Sequence, residues 1–565
     1  MVTLKNDKKT IFGWCMYDWA NSAFATSITT AILPAYFGAL FIASRGSAGW
    51  KGWSGESLWA FSVSFATGIV ALSSPPLGVI ADHLSLKMKF LKIYAFAGSL
   101  CTILLFTAVW LPGYDWMWLL GFYMLANIGF AGGNVFYNSL LTSIVDEDQY
   151  DDVSSKGFAY GYIGGGLLLL IHLIVITTSD SNPLVIRLSL ASVGIWWFGW
   201  GLVTFTMVPE PNLINPASKL STRSTIKMAF GELWQTAQDI QKFKVLFTYL
   251  LAFLLFNDGI QTVLSVAGVY AAITLGVSLT FQMGTILILQ FVGAPGAIVF
   301  SKIAKKIGTK SALSITLFIW MLVVLLAIGM SALEPVDPAE HDYRLEWRET
   351  SYAIVKVPSL KNEGSDADWQ EKVGKWNTDD TLTIGQAQLL KESTAQSRFS
   401  IHIMGGELAE STIGSGHPSQ IGDGWIDFIP TTLRTYVWKP LRVPLWIGTN
   451  GRFSSSLQFL LLGIFVGFVM GGSQALARSL FATIMPETRS GEFFGFFGFI
   501  GKAASVIGPL LFGFTARIFD RRVGILAILA IILVGTLVLK FVDVNEGRRV
   551  ASEEDEQRRK GLTVP

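Results

Sequence analysis

Charge is what this 565-residue chain has least of. Asp, Glu, Lys and Arg together make up 15% of it, where soluble domains carry about 25%. That deficit points to lipid, not water, as the solvent for most of the chain. Cysteine is nearly absent as well. Cys15 and Cys101 both fall in apolar stretches, so no disulfide framework is expected. No Gly-rich loop ends in Lys-Ser/Thr, so there is no sign of ATP use. His341, His402 and His417 lack ligand-like spacing and have no cysteine beside them, so no zinc site is expected. A net charge of +2 carries no footprint for nucleic acid. The chain reads as a non-enzyme without cofactor, metal or nucleic-acid partner, acting as a monomer in the bilayer.

What is present is apolar sequence. Hydrophobic residues make up 51% of the chain, and the mean hydropathy is +0.48. Stretches able to cross a roughly 30 Å hydrocarbon core need about 20 residues, and inside lipid they must be helices to satisfy their own backbone. Twelve spans are expected, at 12–42, 58–81, 90–111, 116–140, 157–177, 184–208, 246–272, 280–303, 311–332, 455–481, 493–516 and 523–542. The first has polar residues inside it and no small-residue cleavage site, so it reads as a membrane helix and not as a removed signal.

Basic residues set the orientation. Lys5, Lys8 and Lys9 precede the first span, Lys87, Lys89 and Lys92 follow the second, and Lys302, Lys305, Lys306 and Lys310 follow the eighth. A basic tail runs from Lys540 to Lys560, while Arg517, Arg521 and Arg522 are the exception to the bias. Both termini are therefore expected in the cytoplasm of a cell whose inner membrane holds the chain.

Two hydrophilic stretches divide the pattern. Residues 1–208 form an N-terminal six-helix half, and 209–245 a cytoplasmic linker with an amphipathic run from Thr225 to Lys244. The bland reading of that run is a surface helix tethering the halves. Residues 246–332 hold spans seven to nine, 333–454 an extracytoplasmic insertion, 455–542 the last three spans and 543–565 a cytoplasmic tail. Alternation in Ser351–Pro358 and Arg398–Gly405, with turns at Gly405, Gly406, Gly414, Gly416, Gly422 and Gly424, makes the insertion a small β-rich domain. Its six tryptophans between Trp347 and Trp446 either anchor it to headgroups or form its core; the core is the expectation.

Polar groups inside a membrane helix are costly and by default functional. The fragments Asp18-WA-Asn21-Ser22 and Asp258-GI-Gln261-Thr262 match in spacing and chemistry and open the first helix of each half. Duplicated halves sharing one cavity should show this. The alternative is that each Asp caps a helix or pairs across the bundle. Asn127, Asn134 and Asn138 share a face of the fourth span, and Gln474 and Lys502 lie in the tenth and eleventh. Asp18, Asn21, Asn127, Asn138, Asp258, Gln261, Gln474 and Lys502 are the candidate solute and ion pathway. His172 reads as a satisfied core histidine. Gly161, Gly164, Gly165 and Gly166 permit close helix packing.

Several motifs carry a resemblance. Gly78-VIA-Asp82-His83-LSL-Lys87 resembles the loop motif of the major facilitator superfamily, with His83 in place of the usual base and Ser85 in place of the usual glycine. Ser301-KIA-Lys305-Lys306-I-Gly308-T-Lys310 is a weaker echo without the acid. Tyr17-DWANSAFAT-Ser27, Phe136-YNSLL-Thr142, Val153-SSKGFAYGYIGGG-Leu167, Phe256-NDGIQTV-Leu264 and the run Gly472–Ala504 are similar to the vacuole-effluxer-like branch of that superfamily. The resemblance implies an all-α twelve-helix bundle in two pseudo-symmetric halves. It implies export of amino acids, the activity of the fungal members, and a cytoplasmic latch centred on Asp82. With Arg478 and Glu492, Asp82 forms a candidate inner gate, the alternative being plain loop-anchoring ion pairs.

The function expected is secondary transport of a small organic solute, amino acids being the implied class, by alternating access and with proton coupling through a buried carboxylate. Two alternatives stay open: a lipid or lysolipid transporter that uses the outer domain, and a receptor or scaffold that moves nothing.

Overall fold

The structure, a computed structural model, describes residues 5–45, 50–51, 53, 55–111, 113–211, 222–238, 241–273, 277, 279–329, 338–360, 362, 365–395, 397–413, 455–504, 507–518 and 521–560. The expectations for Gly414, Gly416, His417, Gly422, Gly424, Trp425, Trp438 and Trp446 lie outside the described residues.

The first span begins at α1 (Lys8–Ala23), where the Asp7 carboxylate accepts the Thr10 backbone N–H at 2.9 Å and so satisfies one orphan donor of the first turn. It passes through a π-helical segment, Phe24–Ile32, into α2 (Leu33–Arg45). Such segments open a helix to side-chain insertion and gather at functional sites. The rest of the N-terminal half is α3 (Gly55–Leu84), α4 (Lys87–Leu104), α5 (Asp115–Ile144), α6 (Tyr150–Thr178) and α7 (Pro183–Met207). Asn182 caps α7 through its Leu184 contact, with Pro183 at the first helical position, where its missing N–H costs nothing.

A surface helix, α8 (Thr222–Gln238), links this half to α9 (Lys244–Ile273), α10 (Leu279–Ile307) and α11 (Thr309–Gly329). After the inserted sheet come α14 (Ser455–Ile484), α15 (Ser490–Ala503), α16 (Ile507–Ile518), α17 (Arg521–Lys540) and α18 (Val544–Arg559). Among the described residues, eleven helical stretches are long and apolar enough to cross a bilayer, and the bent pair Gly524–Lys540 and Val544–Arg559 supplies a twelfth. Of that pair, α17 is the membrane segment. The sequence VNEGRRVASEEDEQRR of α18 is too charged to enter lipid.

The spans alternate, so α1, α4, α6, α9, α11 and α15 begin at one end of the bundle, called basal here, and α3, α5, α7, α10, α14 and α17 finish there. Asn6 donates to the Ile144 carbonyl at 2.9 Å, and Lys310 donates to the Lys540 and Val542 carbonyls at 2.9 and 2.8 Å. The glycines of α6 do the packing expected of small residues. A Cβ on Gly164 would stand 2.6 Å from the Trp19 carbonyl, and one on Gly161 2.5 Å from Ser22 Oγ, so α1 and α6 meet backbone to backbone. His172 is satisfied by Ser27 at 3.1 Å and Ser192 at 2.8 Å.

The tail, for which no helix was expected, is helical over Val544–Arg559. Asp543 caps α18, and the helix buries Gly547, Ala551 and Glu554 along one face. Its other faces stay charged, which is why the segment reads as a tail from composition alone.

The insertion folds around a five-stranded sheet of order β3-β2-β1-β4-β5, from β1 (Tyr343–Arg348), β2 (Ser351–Lys356), β3 (Thr381–Leu382), β4 (Ser400–Met404) and β5 (Glu410–Ile413). Strands β1 and β4 pair in parallel, and the other pairs are antiparallel. Helices α12 (Ser365–Val373) and α13 (Ile384–Ala395) cover it. Leu345, Ile354, Trp369, Leu390, Ile401 and Ile403 form its core, with Trp347 and Trp376 packed against them. The described tryptophans therefore belong to the core, as expected.

Candidate functional site

A cavity of about 280 Å³ lies between the halves, walled by α3, α5 and α6 on one side and by α9, α14 and α15 on the other. Its polar lining is Asn134, Asn138, Asn257, Gln261, Ser473, Gln474, Arg478 and Lys502. Arg478 stands six residues before the basal end of α14, and Lys502 twelve residues beyond the start of α15. At 1.5 Å per residue these heights are about 9 and 18 Å, which brackets the middle of a 30 Å core.

Of the pathway candidates, Asn138, Gln261, Gln474 and Lys502 line this cavity. The others do not. Asp18 stands one layer behind, where its Oδ2 accepts the Tyr137 hydroxyl at 2.7 Å and lies 3.5 Å from Arg478 Nη1. Asn21 reaches the cavity at second hand by donating Nδ2–H to Asn134 Oδ1 at 2.7 Å. Asn127 is buried elsewhere in α5. Asp258, 1% exposed, turns into its own half, against the start of α16. A Cβ on Gly508 would sit 3.0 Å from Asp258 Oδ2, and the carboxylate faces the backbone N–H groups of Ile507 and Gly508 in the first turn of α16.

Arg478 is the hub. Nε donates to Ser154 Oγ at 2.9 Å, Nη2 to the Ser154 carbonyl at 2.7 Å and Nη1 to Asn138 Oδ1 at 3.0 Å. Its guanidinium stacks within 4.8 Å of the Trp14 ring and 4.3 Å of the Phe158 ring. All of these partners belong to the N-terminal half, so one C-terminal-half side chain is bound on several sides by the other half. A planar fork makes this possible where an ammonium could not.

Below the cavity the halves are locked together. Asp82 ends α3 and caps α15 across the boundary: Oδ1 accepts the Gly491 N–H at 3.0 Å and Oδ2 the Glu492 N–H at 2.9 Å. A carboxylate at a helix N-terminus satisfies orphan donors and meets the positive end of the dipole. Lys87 completes the knot, 2.8 Å from Asp82 Oδ1 and donating to Ser490 Oγ at 2.6 Å. Asp151 of α6 accepts from Thr309 at 2.7 Å and from Ser479. Lys5 pairs with Glu487 at 2.9 Å.

A second layer was not foreseen. Glu232 of α8 lies 2.5 Å from His83 Nε2 and also pairs with Arg558 of α18. Thr236 donates to Glu492 Oε1 at 2.6 Å, and Arg489 donates Nε–H to Glu492 Oε2 at 2.7 Å. Lys242 pairs with Glu554. The linker helix thus touches both halves, and His83, the odd residue of the loop motif, is its contact with the first. The adjacent opposite charges at Arg489 and Glu492 were the available signal for this layer.

This architecture is that of the major facilitator superfamily. The proton:xylose symporter XylE superposes with a TM-score of 0.54 at 13% identity, covering 97% of each chain. A bacterial homologue of the iron transporter ferroportin in the outward-facing state gives 0.52 at 12% identity, covering 95% of this chain and 99% of that one. Within that class, residues 6–336 and 445–552 match the family described as vacuole effluxer Atg22 like. The chain belongs to that family. The match omits the stretch that contains the β-sheet. The chain is 24% identical over 551 residues to an uncharacterised MFS-type transporter, YxiO, of Bacillus subtilis (96% of this chain, 97% of that protein). It is 21% identical over 606 residues to autophagy-related protein 22 of Vanderwaltozyma polyspora (97% and 94%).

Proposed function

We propose that this chain is a secondary active transporter that moves a small organic solute across the membrane by alternating access. One observation carries the reading. A polar, cation-bearing cavity of about 280 Å³ sits between two six-helix halves whose contacts on its basal side include hydrogen bonds and ion pairs. Such contacts are directional and reversible, so the halves can part there and close at the other end. Transporter relatives support the class. Basic residues at the basal end support a cytoplasmic location for it, with both termini inside, residues 333–454 outside and the present state closed toward the cytoplasm.

Asn138, Gln261, Gln474 and Lys502 contact the solute in this reading. Asp82, Arg478 and Glu492 form the inner gate, with Asp18 as the counter-ion of Arg478. Asp258 carries the coupling proton, released and taken up as α16 shifts against it. Amino acids are the first solutes to try, following the family.

The test is flux into liposomes holding the purified chain, with labelled amino acids and small organic acids, with and without an inward proton gradient. Gradient-driven accumulation of any one is the expected result. Binding without flux in either direction rejects the reading in favour of a receptor. Deleting 333–454 separates the alternatives further, since a carrier keeps flux and a receptor loses its function.

A further inference from the structure

The cavity wall carries positive charge that nothing in it balances. Arg478 and Lys502 line it, and among the described residues no aspartate or glutamate does. Arg478 is already neutralised by Asp18 behind the wall. Lys502 differs. It makes no hydrogen bond or ion pair with any described residue, although it stands well inside an apolar helix, with Phe494 and Phe497 beside it in the wall. An ammonium that is partly desolvated and lacks a counter-ion is costly to keep, unless something that visits the cavity supplies the opposite charge.

Two of the neutral groups lean the same way. Arg478 can only donate, so the Asn138 atom that meets its Nη1 at 3.0 Å is the amide oxygen. That leaves Asn138 an NH₂ group to offer. Asn134 is in the same position, its oxygen taken by Asn21 Nδ2 at 2.7 Å. The wall therefore presents an ammonium and two amide NH₂ groups. Gln261 and Gln474 can donate or accept, and Asn257 turns its NH₂ to the Gly501 carbonyl at 3.4 Å; the apolar part of the wall includes Phe253 and Phe497, stacked at 4.2 Å between ring centroids.

Building on the carrier reading, we propose that the solute is a small organic anion. A carboxylate, or a like singly charged oxyanion, pairs with Lys502 and accepts from Asn134 and Asn138, and an apolar body rests on the phenylalanines. A positive charge on the solute gains nothing, because no acid lines the wall to receive it. Inorganic anions leave the aromatic surface unfilled.

Thermal shift of the full chain in detergent decides this, since a ligand of the folded state raises its stability by mass action. The probes are 4-methylpentanoate, its amide, leucine, leucinamide, isopentylamine and inorganic phosphate. The two carboxylates are expected to stabilise, and the amides, the amine and phosphate are not. Lys502→Gln should weaken 4-methylpentanoate by about 10- to 100-fold, the loss of one charged hydrogen bond, while Lys502→Arg stays within a few-fold of the parent. Equal stabilisation by the amine or leucinamide overturns the proposal, as do phosphate acting alone, silence from every carboxylate, or unchanged affinity in Lys502→Gln. If Lys502→Gln does not fold, the probe series on the parent chain and on Lys502→Arg decides.

The carrier reading has its own readout. With Cys15 and Cys101 replaced by serine, Ala131→Cys should react with impermeant thiol reagents from either face of a vesicle. Labelling from one face alone rejects alternating access and leaves the binding result intact.

Discussion

Arg478 Nη1 lies 3.5 Å from the Asp18 carboxylate, and this buried pair joins the tenth span to the first across the boundary between the halves. Because both side chains are nearly out of contact with solvent, removing either leaves a charge without its partner. Losing one member of a buried pair costs about 3–5 kcal/mol. Asp18→Asn is expected to lower the melting temperature and to abolish flux, and Arg478→Lys should not rescue, because an ammonium cannot reach Ser154 and Asn138 together. The double variant Asp18→Asn with Arg478→Gln should recover part of the stability but no transport. A double variant that loses the full sum of the two single-variant losses, Asp18→Asn and Arg478→Gln, would show that the pair is not coupled.

Asp258 offers a different test. In the proposed mechanism it holds a proton in one state and releases it in another, so Asp258→Asn should abolish accumulation driven by a proton gradient and spare solute exchange. Accumulation unchanged in Asp258→Asn removes this residue from the mechanism. Gly508→Ala approaches the same site from the other side. Its Cβ would fall 2.0 Å from Thr262 Oγ1 and 3.0 Å from Asp258 Oδ2, so α16 must move away. We expect a loss of proton coupling and a destabilisation of about 1–3 kcal/mol from overpacking, read by flux and by thermal melting.

Most of the bundle was legible because lipid leaves so little choice. A run of twenty apolar residues must be a helix, and loop lysines orient it. The site was legible only by kind. Helical spacing puts Asp18, Ser22 and Thr29 toward one side of their span, but it does not say which neighbour that side meets. Asp18 meets Arg478, and Asp258, its counterpart in the second half, meets the first turn of α16. The symmetry of the two fragments in sequence therefore does not carry over to their contacts. The docking of α18 was hidden for another reason. Its buried face is Gly547, Ala551 and Glu554, small or charged residues that give no apolar signal, although their three-and-four spacing after the Asp543 cap was there to read.

The layer built by α8 and α18 predicts an acid-sensitive stability. Burial pushes the Glu232 carboxyl up, but the His83 hydrogen bond and the Arg558 guanidinium outweigh it and hold the group at about 2. Burial likewise raises Glu554, and the Lys242 hydrogen bond with the Arg489 charge brings it below its ordinary value. A carboxylate depressed on folding contributes stability above its unfolded value, and that contribution is lost as pH falls toward the folded one. For Glu232 the window runs from 4.5 down to about 2. The gap in melting temperature between the parent chain and Glu232→Gln should be present at about pH 5 and shrink below that. A gap that widens below about pH 5 reverses the sign and refutes the assignment.

The last prediction concerns how the basal lock opens. Gly78 of α3 and Gly491 of α15 touch across the boundary: a Cβ on Gly78 would stand 2.1 Å from the Gly491 carbonyl oxygen and 2.8 Å from the Glu492 nitrogen. Those neighbours are backbone atoms and cannot rotate away, so Gly78→Ala must push the two helices apart. The same displacement stretches the bonds from Asp82 to the Gly491 and Glu492 N–H groups, 3.0 and 2.9 Å in the closed arrangement. Gly68→Ala is the control, since it lies on the same helix with nothing within 4 Å of the added carbon. In a chain with Cys15 and Cys101 replaced, Ser490→Cys should react several-fold faster with a thiol reagent applied from the basal side when Gly78→Ala is present. With Gly68→Ala the rate should stay at its parent value. Equal rates in all three would mean that the lock does not depend on this contact, and the gate would then have to be sought at Arg478 alone.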